Sequence, residues 1–199
     1  MEDRKMNEQE SLELISQMIR NTRRNLDGGS GNLFLLWGYV NAIVTMTVAI
    51  VLSLTNDFVW MWGFFAIPLV GWLLMYLMKR KEKQEVRTYS DKVIGQMWQI
   101  LGLFSMVVVL MALFAWQMNV ILPLAAILFS LGSIITGIII RYTAFSGFPS
   151  LGAVAGVAML LNTLSDGPML YNLWIYVLVV VLSMIIPGHI LNYKARKEN

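Results

Sequence analysis

Four polar side chains in an otherwise apolar chain have the types and spacing to line a small cavity: Asn41, Gln96, Gln99 and His189. Gln96 and Gln99 are three residues apart, which sets them on one face of a helix. By residue counting they share with Asn41 the same half of their apolar runs, and His189 closes the last run on that side. Neutral amides and one imidazole can hydrogen-bond an uncharged or lipophilic solute. Asn162 falls toward the opposite end of its run and does not join them easily. The competing expectation is that these groups, with Thr45, Thr47, Ser105, Ser130, Ser133, Thr136, Thr163 and Asn172, only tie helices together, each bond contributing about 0.6 kcal/mol. His189 is the single histidine. It reads either as a pH-sensing or ligand-contacting group or as a residue favoured near a helix C-terminus.

The rest of the chemical inventory is thin. No Asp, Glu, Lys or Arg falls inside any of the long apolar runs, although ionisable groups are what coupled transporters and intramembrane proteases use. The chain has no cysteine, which removes disulfides, thiolate metal sites and a thiol nucleophile. One histidine cannot supply a bis-histidine haem site, and the 14 methionines read as packing material. Gly28-Gly29-Ser30-Gly31 has linker composition and no strand before it, so it is not a phosphate-binding loop. The expectation is a non-enzymatic protein with no cofactor, no metal and no catalytic residue.

The elements that must position these groups follow from composition and charge. Of 199 residues 57% are hydrophobic and 14% charged, against about 25% charged in an ordinary soluble domain. Apolar runs at 33–55, 58–78, 93–116, 120–140, 148–164 and 169–190 are each near the roughly 20 residues that cross a bilayer. All 15 Lys and Arg residues fall on one side of this six-span scheme: residues 4–24, 79–92, 141 and 194–197. Basic residues collect on the cytoplasmic side. The fold expected is therefore all-α, a polytopic membrane protein with six transmembrane helices built as three hairpins. Both termini lie in the cytoplasm and the bundle sits in a cytoplasmic (inner) membrane. Trp and Tyr at the span ends fit the interfacial belts. The polar first 32 residues do not resemble a signal peptide.

Within the spans, Pro68 and Pro187 are candidate hinges, since each removes a helix hydrogen bond. Gly132, Gly137, Gly152 and Gly156 are candidate packing positions, small residues that let helix backbones approach. The run at 148–164 is the shortest and richest in Gly and Ala, which places it inside the bundle. A faint repeat relates the first two hairpins: Trp37 and Trp98 are 61 residues apart, as are Arg80 and Arg141.

Outside the spans, residues 8–26 carry Leu12, Leu14, Ile15, Met18, Ile19 and Leu26 on one side at helical spacing, with arginines on the other. This is an amphipathic cytoplasmic helix, with Gly28 as its stop and residues 27–31 as a flexible connector. Residues 1–31 thus form one unit, 32–192 the bundle and 193–199 a basic tail. The implied partners are the bilayer itself, anionic lipids at the cytoplasmic face, a candidate cytoplasmic protein and a second copy of the chain; nucleic acid is not among them. The leading functional expectation is interaction or membrane sensing at the cytoplasmic face. The alternative is a small transporter or channel for a neutral or lipophilic solute.

Overall fold

The computed structural model describes residues 8–79, 89–114, 118–140 and 143–197. Most of the segment 79–92 and Arg141 lie outside these. All regular structure among them is helical: α1 (Glu8–Thr55), a 3-10 helix (Phe58–Phe65) leading into α2 (Ala66–Lys79), α3 (Tyr89–Phe114), a 3-10 turn (Met118–Val120), α4 (Ile121–Ile139), α5 (Ala144–Leu164), α6 (Met169–Val180), a π-helical turn (Val181–Ile185) and α7 (Ile186–Lys197). Six stretches are long and apolar enough to cross a membrane. The chain is an all-helical, membrane-integral protein.

The turns are closed by their own residues. Among the described residues, Asn56 and Asp166 are the two non-glycine residues with positive φ, each at 53°. Asn56 ends α1 with its N–H on the Leu52 carbonyl at 2.9 Å. After α5, Asp166 N–H bonds Thr163 O at 3.2 Å and Gly167 N–H bonds Asn162 O at 2.8 Å. That pair is the left-handed cap that satisfies the last carbonyls of a helix. Asp57 then starts the next element, its carboxylate accepting from Val59 N–H at 3.0 Å.

Four elements differ from the sequence expectation. α1 does not stop at Gly28; it runs unbroken for 48 residues through 27–31. Glycine costs a helix about 1 kcal/mol relative to alanine but does not forbid it, and Gly31 is needed for packing: its Cβ would collide with Asn192. Pro68 is no mid-helix kink. The first eight residues of span two are 3-10, and Pro68 sits in the first turn of α2, where a missing N–H is harmless. Span five begins at Ala144, four residues before the expected start, and runs 21 residues with the buried Pro149 inside it. Span six neither ends nor breaks at Pro187. The irregularity comes just before it, as a π-turn, and the helix continues to Lys197.

The core is built by α1, α4, α5 and the α6–α7 helix. α4 and α5 make the most extensive contact and run antiparallel, with Gly156 against Ile127 and Gly152 against Ser130. α1 runs antiparallel along α6–α7, with Gly31 against Asn192, Leu35 against Gly188 and Gly38 against Met184 and Ile185. The small residues of α5 are thus used inside one chain. Spans two and three are outliers. Only 6% of each is buried, against 44% for spans one and four. Span two packs on α1, and α3 packs on α4. Both attachments use the same device. Gly71 lies beneath the Trp37 ring and Gly132 beneath the Trp98 ring. Each Trp precedes its Gly by 34 residues and the two pairs are 61 apart, the spacing of the faint repeat.

Candidate functional site

The polar groups of the core gather along the α1 to α6–α7 seam and the neighbouring face of α4. Asn41 is 1% exposed. Its Nδ2 donates to the Trp37 carbonyl at 2.9 Å, and its Oδ1 accepts from the Tyr176 hydroxyl at 3.2 Å. Helical spacing would carry Asn41 down α1 to Thr45, whose hydroxyl is fully buried and has no partner among the described residues. Across the bundle, Ser130 of α4 and Ser183 of the π-turn share a hydrogen bond of 3.0 Å. Gly152 of α5 completes this cluster. A Cβ there would fall on both hydroxyls, 2.8 Å from Ser130 Oγ. One turn along α4, Ser133 is fully buried and its hydroxyl has no partner among the described residues. Next, Thr136 accepts from Trp98 Nε1 at 3.2 Å while donating to the Gly132 carbonyl at 2.8 Å.

At the end of the bundle nearest the chain termini, two exposed bonds cross the α1–α7 seam. The Tyr39 hydroxyl and His189 Nε2 are 2.6 Å apart, their rings edge-to-face at 5.9 Å. Asn192 Nδ2 donates to Asn32 Oδ1 at 2.7 Å. Asn32 and Tyr39 are two helical turns apart, and His189 and Asn192 are one turn apart, so both bonds lie on the same stretch of seam.

The opposite end holds a separate network. Asn162 Nδ2 donates to Asn172 Oδ1 at 3.0 Å, Asn172 Nδ2 to Thr163 Oγ1 at 2.8 Å, and Thr163 to the Met159 carbonyl at 3.0 Å. Beside it opens a polar pocket of about 120 Å³ lined by Asn119, Thr163, Asp166, Gly167, Met169 and Asn172. Its amides and hydroxyl are mostly committed to the network that braces the turn between α5 and α6.

The expected cavity group is therefore divided. Asn41 is buried with its amide engaged on both sides, and His189 is exposed at the end of the same seam. Gln96 and Gln99 are exposed on α3, away from both. Trp98, between them, is the residue of that turn that points inward, edge-on to Phe34 at 5.6 Å and tilted against Phe129 at 6.3 Å. Of the candidate hinges, Pro187 is fully buried next to the π-turn and Pro68 is exposed. Of the candidate packing positions, Gly132 carries Trp98, Gly152 and Gly156 face α4 and the π-turn, and Gly137 is buried in α4.

Sequence reasoning missed the Ser130–Ser183–Gly152 cluster, the Gly31, Gly38 and Gly188 crossings and the Tyr39–His189 pair. One signal was present: Pro187 requires some rearrangement of the preceding turn, because its ring clashes with the carbonyl four residues back. Widening that turn relieves the clash, and the Ile186 N–H reaches back five residues to Val181 O. Among the described residues no three of His, Cys, Asp and Glu lie close enough to share a metal ion. The arrangement can position and hydrogen-bond. Comparisons with known protein families, with curated proteins and with solved structures found no match to this chain.

Proposed function

We propose that this is a non-enzymatic membrane protein that works by interaction at its cytoplasmic face, with residues 8–26 as the docking or membrane-sensing segment. The observation that carries the reading is the continuity of α1. Of its 48 residues, 25 from Gly31 form the first span. The other 23 extend about 35 Å beyond it at 1.5 Å per residue. A flexible connector would isolate a docking segment from the bundle. An unbroken helix joins it mechanically to the residues that pack on α7. Leu12, on the apolar side of the segment, is 64% exposed, which leaves it available to lipid or to a protein. The basic residues flanking the spans set the orientation, with both termini cytoplasmic in an inner membrane and anionic headgroups at that face. Deletion of residues 1–27 should abolish dependence on partner or membrane state while the bundle stays folded by its thermal transition. Full retention of that dependence would exclude the reading.

A second reading has its own support. Thr45 and Ser133 are fully buried hydroxyls without partners among the described residues, and buried polar groups ordinarily have one. A neutral solute crossing the bundle would meet them. Proteoliposomes should then pass small neutral solutes, and Thr45→Val or Ser133→Ala should change the flux. An impermeable bundle across a panel of such solutes would end this reading.

A further inference from the structure

The π-turn sits at the one place where it can govern how α7 meets α1. Before it, α6 touches α1, α4 and α5. Beyond it, α7 packs chiefly on α1. A π-turn holds one residue more than the α-helix it interrupts, so everything beyond it is turned by about 100° relative to an unbroken helix. The seam is built for the turned register. A Cβ at Gly188 would lie 3.0 Å from Leu35 Cγ and 3.3 Å from the Gly31 carbonyl oxygen, so Leu35 would have to give by a few tenths of an ångström to admit a side chain there. Asn192 meets Asn32 and His189 meets Tyr39 in this register.

We propose that the Val181–Ile185 turn is a register switch that opens and closes the α1–α7 seam. Closing the π-turn to α-helix moves each later residue out by one place. Leu191 then comes opposite Asn32 in place of Asn192, and Gly188 takes the place of His189. Pro187 comes where Gly188 lay, against Leu35 and the Gly31 backbone. Any side chain at that place, Pro or Ala, brings a Cβ within 3.3 Å of Leu35 and the Gly31 carbonyl oxygen, so the α register pushes α7 away from α1. Three features hold the π register: the Ser130–Ser183 hydrogen bond, the absent side chain at Gly152 that makes room for it, and Pro187, which disfavours an ordinary α-turn before it. The cytoplasmic extension of α1 leads directly into Gly31 and Asn32. Anything that binds the extension and shifts α1 against α7 is thereby coupled to the register, and the coupling is reciprocal. This last step rests on the reading of residues 8–26 as a docking segment; the switch itself does not.

The chain has no native cysteine, so the seam can be read by cross-linking in membranes without any partner. An Asn32→Cys and Asn192→Cys pair should cross-link readily. A second pair, Asn162→Cys and Asn172→Cys, reports the far end of the bundle. Pro187→Ala restores an N–H and permits the α-turn. It should lower the Asn32–Asn192 yield about fivefold or more and leave the Asn162–Asn172 yield unchanged. Deleting Leu182 in the Pro187→Ala protein removes the extra residue, so an unbroken α-helix then presents Asn192 to Asn32 again and the yield should return. A yield unaffected by Pro187→Ala, loss of both cross-links together, or failure of the deletion to restore the first would each overturn the proposal. Because no partner is involved, that failure is distinct from any failure of the docking reading, which the deletion of residues 1–27 tests.

Discussion

A methyl group added at Gly152 would meet Ser130 and Ser183 together, whereas one added at Gly102 would meet nothing within 4 Å. Gly152→Val should therefore destabilise the bundle by about 1–3 kcal/mol, the usual cost of overpacking. Gly102→Ala, in the middle of α3, should be neutral to stabilising by up to about 1 kcal/mol. Thermal unfolding in detergent compares the two directly, and equal effects would show that Gly152 is not confined. At this scale the sequence was informative about kind and silent about partner. Gly152-x-x-x-Gly156 reads as a close-packing face without any coordinates. That its neighbours are hydroxyls from two other helices does not, because nothing local to residue 152 specifies what approaches it. Gly31 shows the reverse ambiguity: glycine beside serine and asparagine has the composition of a linker, and the same absence of a side chain serves a tight helix crossing.

At the scale of elements, a tryptophan lies in the attachment of each of the two peripheral spans. Trp98 covers Gly132, touches Phe34 and bonds Thr136, all from the otherwise exposed α3. Trp98→Ala should release α3 from α4 and leave the central four helices intact. Hydrogen exchange resolved by segment would show faster exchange in α3 alone, and equal acceleration in α1 and α6 would contradict this division of the molecule. The matching Trp37–Gly71 pair predicts the same behaviour for span two. The 61-residue repeat was visible in sequence, but its meaning was not, since a spacing does not reveal that each Trp lies over a particular Gly. The π-turn was hidden for a different reason. Buried positions Leu173, Tyr176, Val180, Met184, Pro187 and Leu191 keep a 3.6-residue period straight through it. A helical wheel reads them as one face, so nothing in the pattern of burial marks the extra residue.

At the scale of the whole molecule, the number of membrane-crossing helices was the most legible property, because each of the six apolar runs recurs as a helix long and apolar enough to span; the orientation drawn from the basic residues is a prediction. Single cysteines at Asp166 and Lys83 should label from opposite faces of intact vesicles; labelling from the same face would refute the orientation. Functional residues were least legible, since the spans contain no charge from which a mechanism could be inferred and the buried polar groups are hydroxyls and amides that also serve packing. Gln96 and Gln99 illustrate the limit: identity and spacing suggested a shared face, and only the position of Trp98 showed that the face is turned outward.

The eight 3-10 residues that open span two alter its length. They rise about 2.0 Å each where α-helical residues rise about 1.5 Å, so Phe58–Met78 covers some 4 Å more than its 21 residues would as an α-helix. Its reach of about 36 Å comes close to the roughly 37 Å of the 25-residue first span. The two helices can thus meet the same hydrophobic thickness with four residues' difference between them. The adjustment lies in the lipid-facing span, where mismatch with the bilayer costs fractions of a kcal/mol per Å.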